Sequence, residues 1–349
     1  MIIIMEKGAT DENIQKVCTR LEENGFQIRV NKGELLTVID ALGDKSSVSE
    51  DRLLSLEGVK EVKHIREPFR LASRDRKEED TVITFKNGVT IGGNKTVVTI
   101  AGPCSVENLE GLREVAYAVR EAGCEFLRGG AFKPRTSPYA FQGYGEEALK
   151  FLKQAGDETG LLTVTEVMDA QDIELVAQYV DVLQVGARNA QNFKLLKALG
   201  KINKPIILKR GLSSTITEFL LAAEHILYNG NQNVILCERG IRSFDSHYTR
   251  NVADISSVPV IKKLSHLPII VDPSHATGQR YLVEPIAKAG IIVGADGIMI
   301  EVHHNPEIAL SDGNQSLSIP MFKKVMSDIN SLKNNIIYNK QTYCADIKS

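Results

Sequence analysis

No charge of either sign dominates this chain: 42 Lys and Arg stand against 44 Asp and Glu, a formal net charge of −2. A near-neutral balance gives no reason to expect nucleic acid or an anionic membrane as partner. No apolar run reaches the length needed to cross a bilayer. Met1-Ile-Ile-Ile-Met5 is too short for a signal peptide and lacks its basic flank. Cysteine is scarce and odd in number. Cys18, Cys104, Cys124, Cys237 and Cys344 lie scattered, which argues against a disulfide framework and fits a reducing cytoplasm. What remains is an ordinary globular composition, 43% hydrophobic and 25% charged, in a chain long enough for one large domain and a smaller module.

The organising stretch is Thr96-Val-Val-Thr-Ile-Ala-Gly-Pro-Cys104. It is a short β-branched apolar run, so it reads as a strand buried on both faces. Gly102 and Pro103 stop it and leave Cys104 just beyond its end. The same arrangement recurs: runs at 125–130, 161–167, 182–188, 205–211, 234–240, 269–275 and 297–304 end in or near Arg128, Glu166, Arg188, Lys209, Arg239, His275 and Glu301. Helical stretches alternate with them, and strand starts fall about 20 to 36 residues apart. Eight such units predict a closed (β/α)8 TIM barrel, an α/β fold whose active site lies at the C-terminal ends of the strands.

Residues 1–66 read as a separate ferredoxin-like module of order βαββαβ. Ile2–Ile4 forms its first strand, and Thr10 caps a helix whose Ile14, Val17, Cys18 and Leu21 share one face before Gly25. Alternation at Phe26, Ile28 and Val30, a turn at Asn31–Gly33 and a return over Leu35–Ile39 give a hairpin. A helix over Ser49–Leu56 and a strand over Val59–Ile65 complete it. The charged stretch 67–80 reads as a linker. Asn87-Gly88 marks a hairpin between Val82–Phe85 and Val89–Ile91, expected to cap the bottom of the barrel. The barrel itself is expected over 81–335, with a polar tail over 336–349.

Two constellations gather at the strand tips. Cys104, His275, Glu301 and Asp312 combine a thiolate, an imidazole and two carboxylates, a set that suits one divalent cation. Each alone has an ordinary explanation as a buried cysteine, a core histidine or a helix-capping acid. The joint reading rests on all four mapping to one face of one barrel. The second constellation is cationic: Arg128, Lys133, Arg135, Arg188, Lys209 and Arg239. Glu166 and Glu238 are expected to neutralise two of these as ion pairs. The remainder exceed the nearby acids and point to anionic, phosphorylated ligands.

With these residues in view, the chain resembles the 3-deoxy-D-arabino-heptulosonate-7-phosphate (DAHP) synthases. The resemblance rests on Ala101-Gly-Pro-Cys-Ser105, Leu127-Arg-Gly-Gly130, Lys133-Pro-Arg-Thr-Ser137, Gly186-Ala-Arg-Asn189, Leu208-Lys-Arg-Gly211, Cys237-Glu-Arg-Gly240, Asp272-Pro-Ser-His275 and Leu310-Ser-Asp-Gly313. It covers about residues 82–335. The N-terminal module resembles the regulatory domain of the type I-beta subgroup. His304 and Asn314 stand where relatives commonly carry proline, and neither is a ligand position.

The resemblance implies condensation of phosphoenolpyruvate with erythrose 4-phosphate and water, the first step of the shikimate pathway. It makes Cys104, His275, Glu301 and Asp312 the ligands of one divalent metal ion, Mn²⁺ ahead of Fe²⁺, Co²⁺ or Zn²⁺. Arg128, Lys133, Arg188, Lys209 and Arg239 would hold phosphoenolpyruvate, and Arg135 with Thr136 erythrose 4-phosphate. Cys104, His275 and Lys133 would serve the chemistry, with Lys133 or His303 relaying a proton. The expected assembly is a cytoplasmic homo-oligomer, a tetramer, inhibited by tyrosine or phenylalanine. The alternatives are a 3-deoxy-octulosonate-8-phosphate synthase and an inactive, amino-acid-sensing barrel. The loop Lys133–Ser137 argues against the first, and the intact ligand and clamp sets against the second.

Overall fold

A computed structural model describes residues 1–33, 36–43, 48–63, 68–93, 96–135 and 137–337, the side chains of 334–337 excepted. Leu35, the end of the strand expected to reach Ile65, Thr136 and the tail beyond 337 lie outside the described residues. The chain divides into two compact units, Met1–Arg70 and Leu71–Ser349.

In the first unit, β1 (Ile2–Met5), α1 (Asp11–Glu23), β2 (Gln27–Lys32), β3 (Thr37–Leu42), α2 (Glu50–Leu54) and β4 (Val59–Lys63) follow the βαββαβ order. The antiparallel sheet runs β2-β3-β1-β4, so β1 pairs with both β3 and β4. Thr10 caps α1 as expected: its hydroxyl accepts the Asn13 N–H, and Asn13 reaches back to the Thr10 N–H. The apolar face of α1 (Ile14, Val17, Cys18, Leu21) packs with Ile3, Met5, Ile39 and Val62 into this unit's own core.

The second unit is the barrel. Its parallel strands are β7 (Val98–Gly102), β8 (Phe126–Arg128), β9 (Leu162–Glu166), β10 (Val182–Val185), β11 (Ile206–Lys209), β12 (Val234–Glu238), β13 (Ile269–Val271) and β14 (Gly297–His303). They pair in chain order, and β14 returns to β7, closing the cylinder. All are apolar and buried along nearly their whole length, as strands covered on both faces must be. The helices between them begin and end where their caps dictate. In α7 (Ile216–Tyr228) the Thr215 hydroxyl accepts the Glu218 N–H (3.1 Å), and the Glu218 carboxylate accepts the Thr215 N–H (2.8 Å). α4 (Glu146–Thr159) stops at Gly160, whose φ of 70° releases the chain in a left-handed turn.

The Asn87-Gly88 hairpin, β5 (Ile83–Thr84) and β6 (Thr90–Ile91), seals the N-terminal end. Ile83, Phe85 and Ile91 share one cluster with the barrel interior, and Phe85 meets Phe126 edge-on at 5.0 Å.

Residues 71–80 differ from the linker expected there, because they are fastened to the barrel. The Leu71 and Ala72 N–H groups donate to Glu224 (2.8 and 3.0 Å). Arg74 donates to the carbonyls of Lys262 and Ser265 at the end of α8 (Ser257–Leu264). A guanidinium that satisfies the last carbonyls of a helix needs no turn chemistry of its own, so composition alone did not reveal it.

Candidate active site

Strand β14 and the segments that follow β7, β13 and β14 bring the donor set together. β7 ends at Gly102 (φ 148°), where a Cβ would lie 2.0 Å from the Arg128 carbonyl oxygen. Only glycine allows β7 and β8 to approach so closely, and Cys104 is thereby turned inward. After β13, Asp272 caps the short helix α9 (Pro273–Thr277), with Pro273 in its first turn, and this turn carries His275. Glu301 lies within β14, fully buried. Asp312 follows on the loop to a short strand, β15 (Leu317–Ser318), that pairs with the end of β14. Among the described residues Asp312 is the one non-glycine residue at positive φ, 53°. Asp tolerates this region better than most residues, and strain of this kind gathers at functional sites.

One donor atom from each of Cys104, His275, Glu301 and Asp312 falls within 4.8 Å of the other three. Burial pushes the Cys104 thiol up to about 12; Glu301 adds to the shift and Lys133 opposes it. The two carboxyls go the other way. Burial would raise them, but His275 and Arg128 hold Glu301 below the usual range, and His275, Cys104 and Arg250 do the same for Asp312. His275 Nδ1 lies 2.7 Å from Asp272 Oδ2, so Nε2 is left facing Glu301 Oε1 at 3.2 Å. Two carboxylates, a thiol and an imidazole in so small a volume fit one divalent cation of the first transition row.

Beside this cluster opens a cavity of about 500 Å³. Lys133, Arg135, Arg188, Lys209 and Arg239 line it, as do His275 and Asp312. Lys133 Nζ sits 2.9 Å from both the Cys104 carbonyl oxygen and Sγ, joining the two constellations. Arg239 is buried, and burial pushes its guanidinium below the usual range. It donates to the carbonyls of His275 (3.0 Å) and Gly240 (3.4 Å), and no described carboxylate lies within ion-pair reach. A buried guanidinium without a counter-charge is an anion site in waiting.

Some residues fall differently from the sequence expectation. Arg128 does not line the cavity. It is buried behind it, paired with Glu301 at 2.6 Å. Thr136 is outside the described residues. His303 also lies off the cavity, 3.4 Å from Glu107 and stacked on His304 at 4.4 Å. The acids expected to neutralise the cluster do not. Glu238 is taken by Arg210 (2.9 Å), and Glu166 accepts from Gln184 (3.3 Å). Lys209 pairs instead with Asp272 at 2.6 Å. Sequence reasoning assigned nothing to Arg250, which pairs with Asp312 at 3.0 Å and lines the cavity. It also missed Ser311, 3.1 Å from Cys104 Sγ and bonded to Arg135. The arginine in Tyr248-Thr-Arg250 carries no strand-tip signature, because it belongs to a long loop.

A closed barrel with a compact cation-type donor set and a cationic cavity, both at the C-terminal strand ends, defines an enzyme whose active-site end is built for anions. The family is equally plain. The chain belongs to the DAHP synthetase I family, whose model matches residues 80–335, and residues 1–67 match the DAHP synthase ferredoxin-like domain. A Phospho-2-dehydro-3-deoxyheptonate aldolase of Thermotoga maritima is 50% identical over 95% of this chain and 97% of its own length. A crystal structure of DAHP synthase from Thermotoga maritima superposes with a TM-score of 0.77 at 49% identity, over 96% of this chain and 98% of that one. A 2-dehydro-3-deoxyphosphooctonate aldolase of Syntrophotalea carbinolica is 33% identical over 69% of this chain and 92% of its own.

Proposed function

We propose that this enzyme condenses phosphoenolpyruvate with erythrose 4-phosphate and water, yielding 3-deoxy-D-arabino-heptulosonate 7-phosphate and phosphate. The observation that carries the reading is Arg239, a buried guanidinium bonded to carbonyls and open to the cavity that His275 and Asp312 also line. With Arg188, Lys209 and Lys133 it clamps the carboxylate and phosphate of phosphoenolpyruvate and presents the enol face, so that orientation entropy is lost before the chemical step. Arg135 and Thr136 take the phosphate of the aldose. Cys104, His275, Glu301 and Asp312 hold one divalent cation, Mn²⁺ ahead of Fe²⁺, Co²⁺ or Zn²⁺. Bound there, the cation supplies Lewis acidity toward an aldehyde oxygen. C3 of phosphoenolpyruvate bonds to the aldehyde carbon, whose oxygen takes up a proton; water oxygen adds at C2 and gives up two protons, one balancing that uptake and one leaving with phosphate as the C2–O bond breaks. We assign the proton given to the aldehyde oxygen to Lys133, whose Nζ lies 2.9 Å from Cys104 Sγ, ahead of His303, which faces Glu107.

The five-carbon alternative draws on the 33% relative, a 2-dehydro-3-deoxyphosphooctonate aldolase. Against it stand the Lys133–Ser137 loop and the 50% relative that spans nearly the whole chain. Product analysis with erythrose 4-phosphate and a five-carbon aldose phosphate decides: turnover of the pentose alone would overturn the assignment. For the N-terminal unit we propose feedback by tyrosine or phenylalanine within a homotetramer, which requires tighter effector binding to a closed arrangement. A chain starting at Leu71 is expected to stay active and lose that inhibition. A full-length enzyme indifferent to both amino acids at millimolar concentration would refute it.

A further inference from the structure

Several buried acids in the barrel are closed structural partners. Asp296 takes Lys262 (2.7 Å) and the Ile269 N–H (2.9 Å), and Glu238 takes Arg210 and the Gly240 N–H. Asp272 is different, because its partners belong to both constellations of the site. Its Oδ2 accepts from Lys209 Nζ at 2.6 Å and lies 2.7 Å from His275 Nδ1. Its Oδ1 accepts the His275 N–H at 2.9 Å. The carboxylate is wholly buried.

We propose that Asp272 is a positioning residue that fixes His275 with a hydrogen on Nδ1 and with Nε2 turned to the donor cluster, while anchoring Lys209 of the anion clamp. The inference rests on the metal-site reading above. An ionised carboxylate only accepts, and Oδ2 already accepts from an ammonium, so the ring nitrogen facing it must carry hydrogen. Nε2 is thereby the ring nitrogen turned to the cluster, 3.2 Å from Glu301 Oε1, and is the atom that would ligate a cation held there. Neither Lys209 nor His275 holds this geometry by itself. Lys209 ends strand β11 and His275 lies in a single helical turn beyond β13, so one buried acid spaces both.

Asp272→Asn tests this. The amide keeps an oxygen for the His275 N–H and sets an NH₂ where Oδ2 was. Nδ1 must then accept, and the proton moves to Nε2, where it blocks metal ligation. Mn²⁺ titration of the metal-free variant, read by electron paramagnetic resonance, is expected to show affinity down about 10- to 100-fold. Asp296→Asn, an equally buried acid outside the site, is expected to stay within about twofold of the parent. The ring-nitrogen shifts of ¹⁵N-histidine-labelled, metal-free parent protein at pH 8.5 give a readout that structural damage would not mimic. They are expected to report the Nδ1–H form of His275. Parental Mn²⁺ affinity in Asp272→Asn, or a parent ring with no hydrogen on Nδ1, overturns the proposal. If Asp272→Asn fails to fold, the parent's tautomer decides alone. A parent that binds no Mn²⁺ would refute the metal reading separately, and the tautomer would still test Asp272.

Discussion

The two ends of the barrel differ in how fully their buried charge is balanced. At the N-terminal end, Asp296 is closed by Lys262, and Glu125 accepts the Thr99 N–H while Lys333 donates to the Thr99 hydroxyl. A hydrophobic hairpin seals what remains. At the C-terminal end, cations outnumber the acids that reach them, and acids and a thiol crowd within 4.8 Å. Two thiols make the contrast specific. Burial pushes both Cys104 and Cys124 up to about 12, yet only Cys104 joins a group of converging donors. Desolvation therefore says little about function here. What marks the working end is charge that its neighbours do not balance.

The largest effect should come from Cys104→Ala, which deletes a proposed ligand. Metal-dependent turnover is expected to fall at least 100-fold, whereas Cys124→Ala keeps it near the parental rate and lowers thermal stability modestly. Equal activity loss in both variants would erase the distinction between the two thiols. Next is Phe85→Ala at the sealed end. It should cost about 3–5 kcal/mol of stability by urea unfolding, because an aromatic plug leaves a cavity. Michaelis constants measured on the folded fraction should not move; a changed constant for phosphoenolpyruvate would mean the ends are coupled.

Arg239→Ala should weaken phosphoenolpyruvate binding at least about tenfold, from the loss of a charge-assisted contact on the order of 1.5–3 kcal/mol. Isothermal titration would show it, and unchanged affinity would remove Arg239 from the clamp. The smallest effect concerns pH at the sealed end. Burial raises the Glu125 carboxyl, with the Thr99 N–H and Lys333 opposing. A carboxyl raised on folding binds more protons in the native state, so its contribution declines as pH rises from the ordinary carboxylate range through the raised value. Glu125→Gln retains an acceptor for the Thr99 N–H. It should gain on the order of 1 kcal/mol or less relative to the parent at neutral pH, and lose that gain in acid. A urea series from pH 4 to 8 that showed the reverse slope would contradict the burial argument.

Much of this was legible in the chain itself. β-Branched runs punctuated by glycine and proline, with helical stretches between, give eight strands and their order, because parallel strands buried on both faces leave an unmistakable apolar signature. The reactive residue types at the tips follow from the same pattern, since they interrupt or end those runs. Capping at Thr10, Thr215 and Gly160 is equally local. Tertiary structure alone decided which charge meets which. Arg128 and Glu301, 173 positions apart, become a closed pair because the return of β14 to β7 brings Glu301 level with the tip of β8. Arg239, alike in sequence at the end of its own strand, finds only carbonyls. Arg250, on a loop without periodicity, reaches Asp312 across 62 positions. A strand's face and tip are set by its own two-residue repeat, whereas the partner of a charge is set by barrel closure and loop path, which depend on every strand at once.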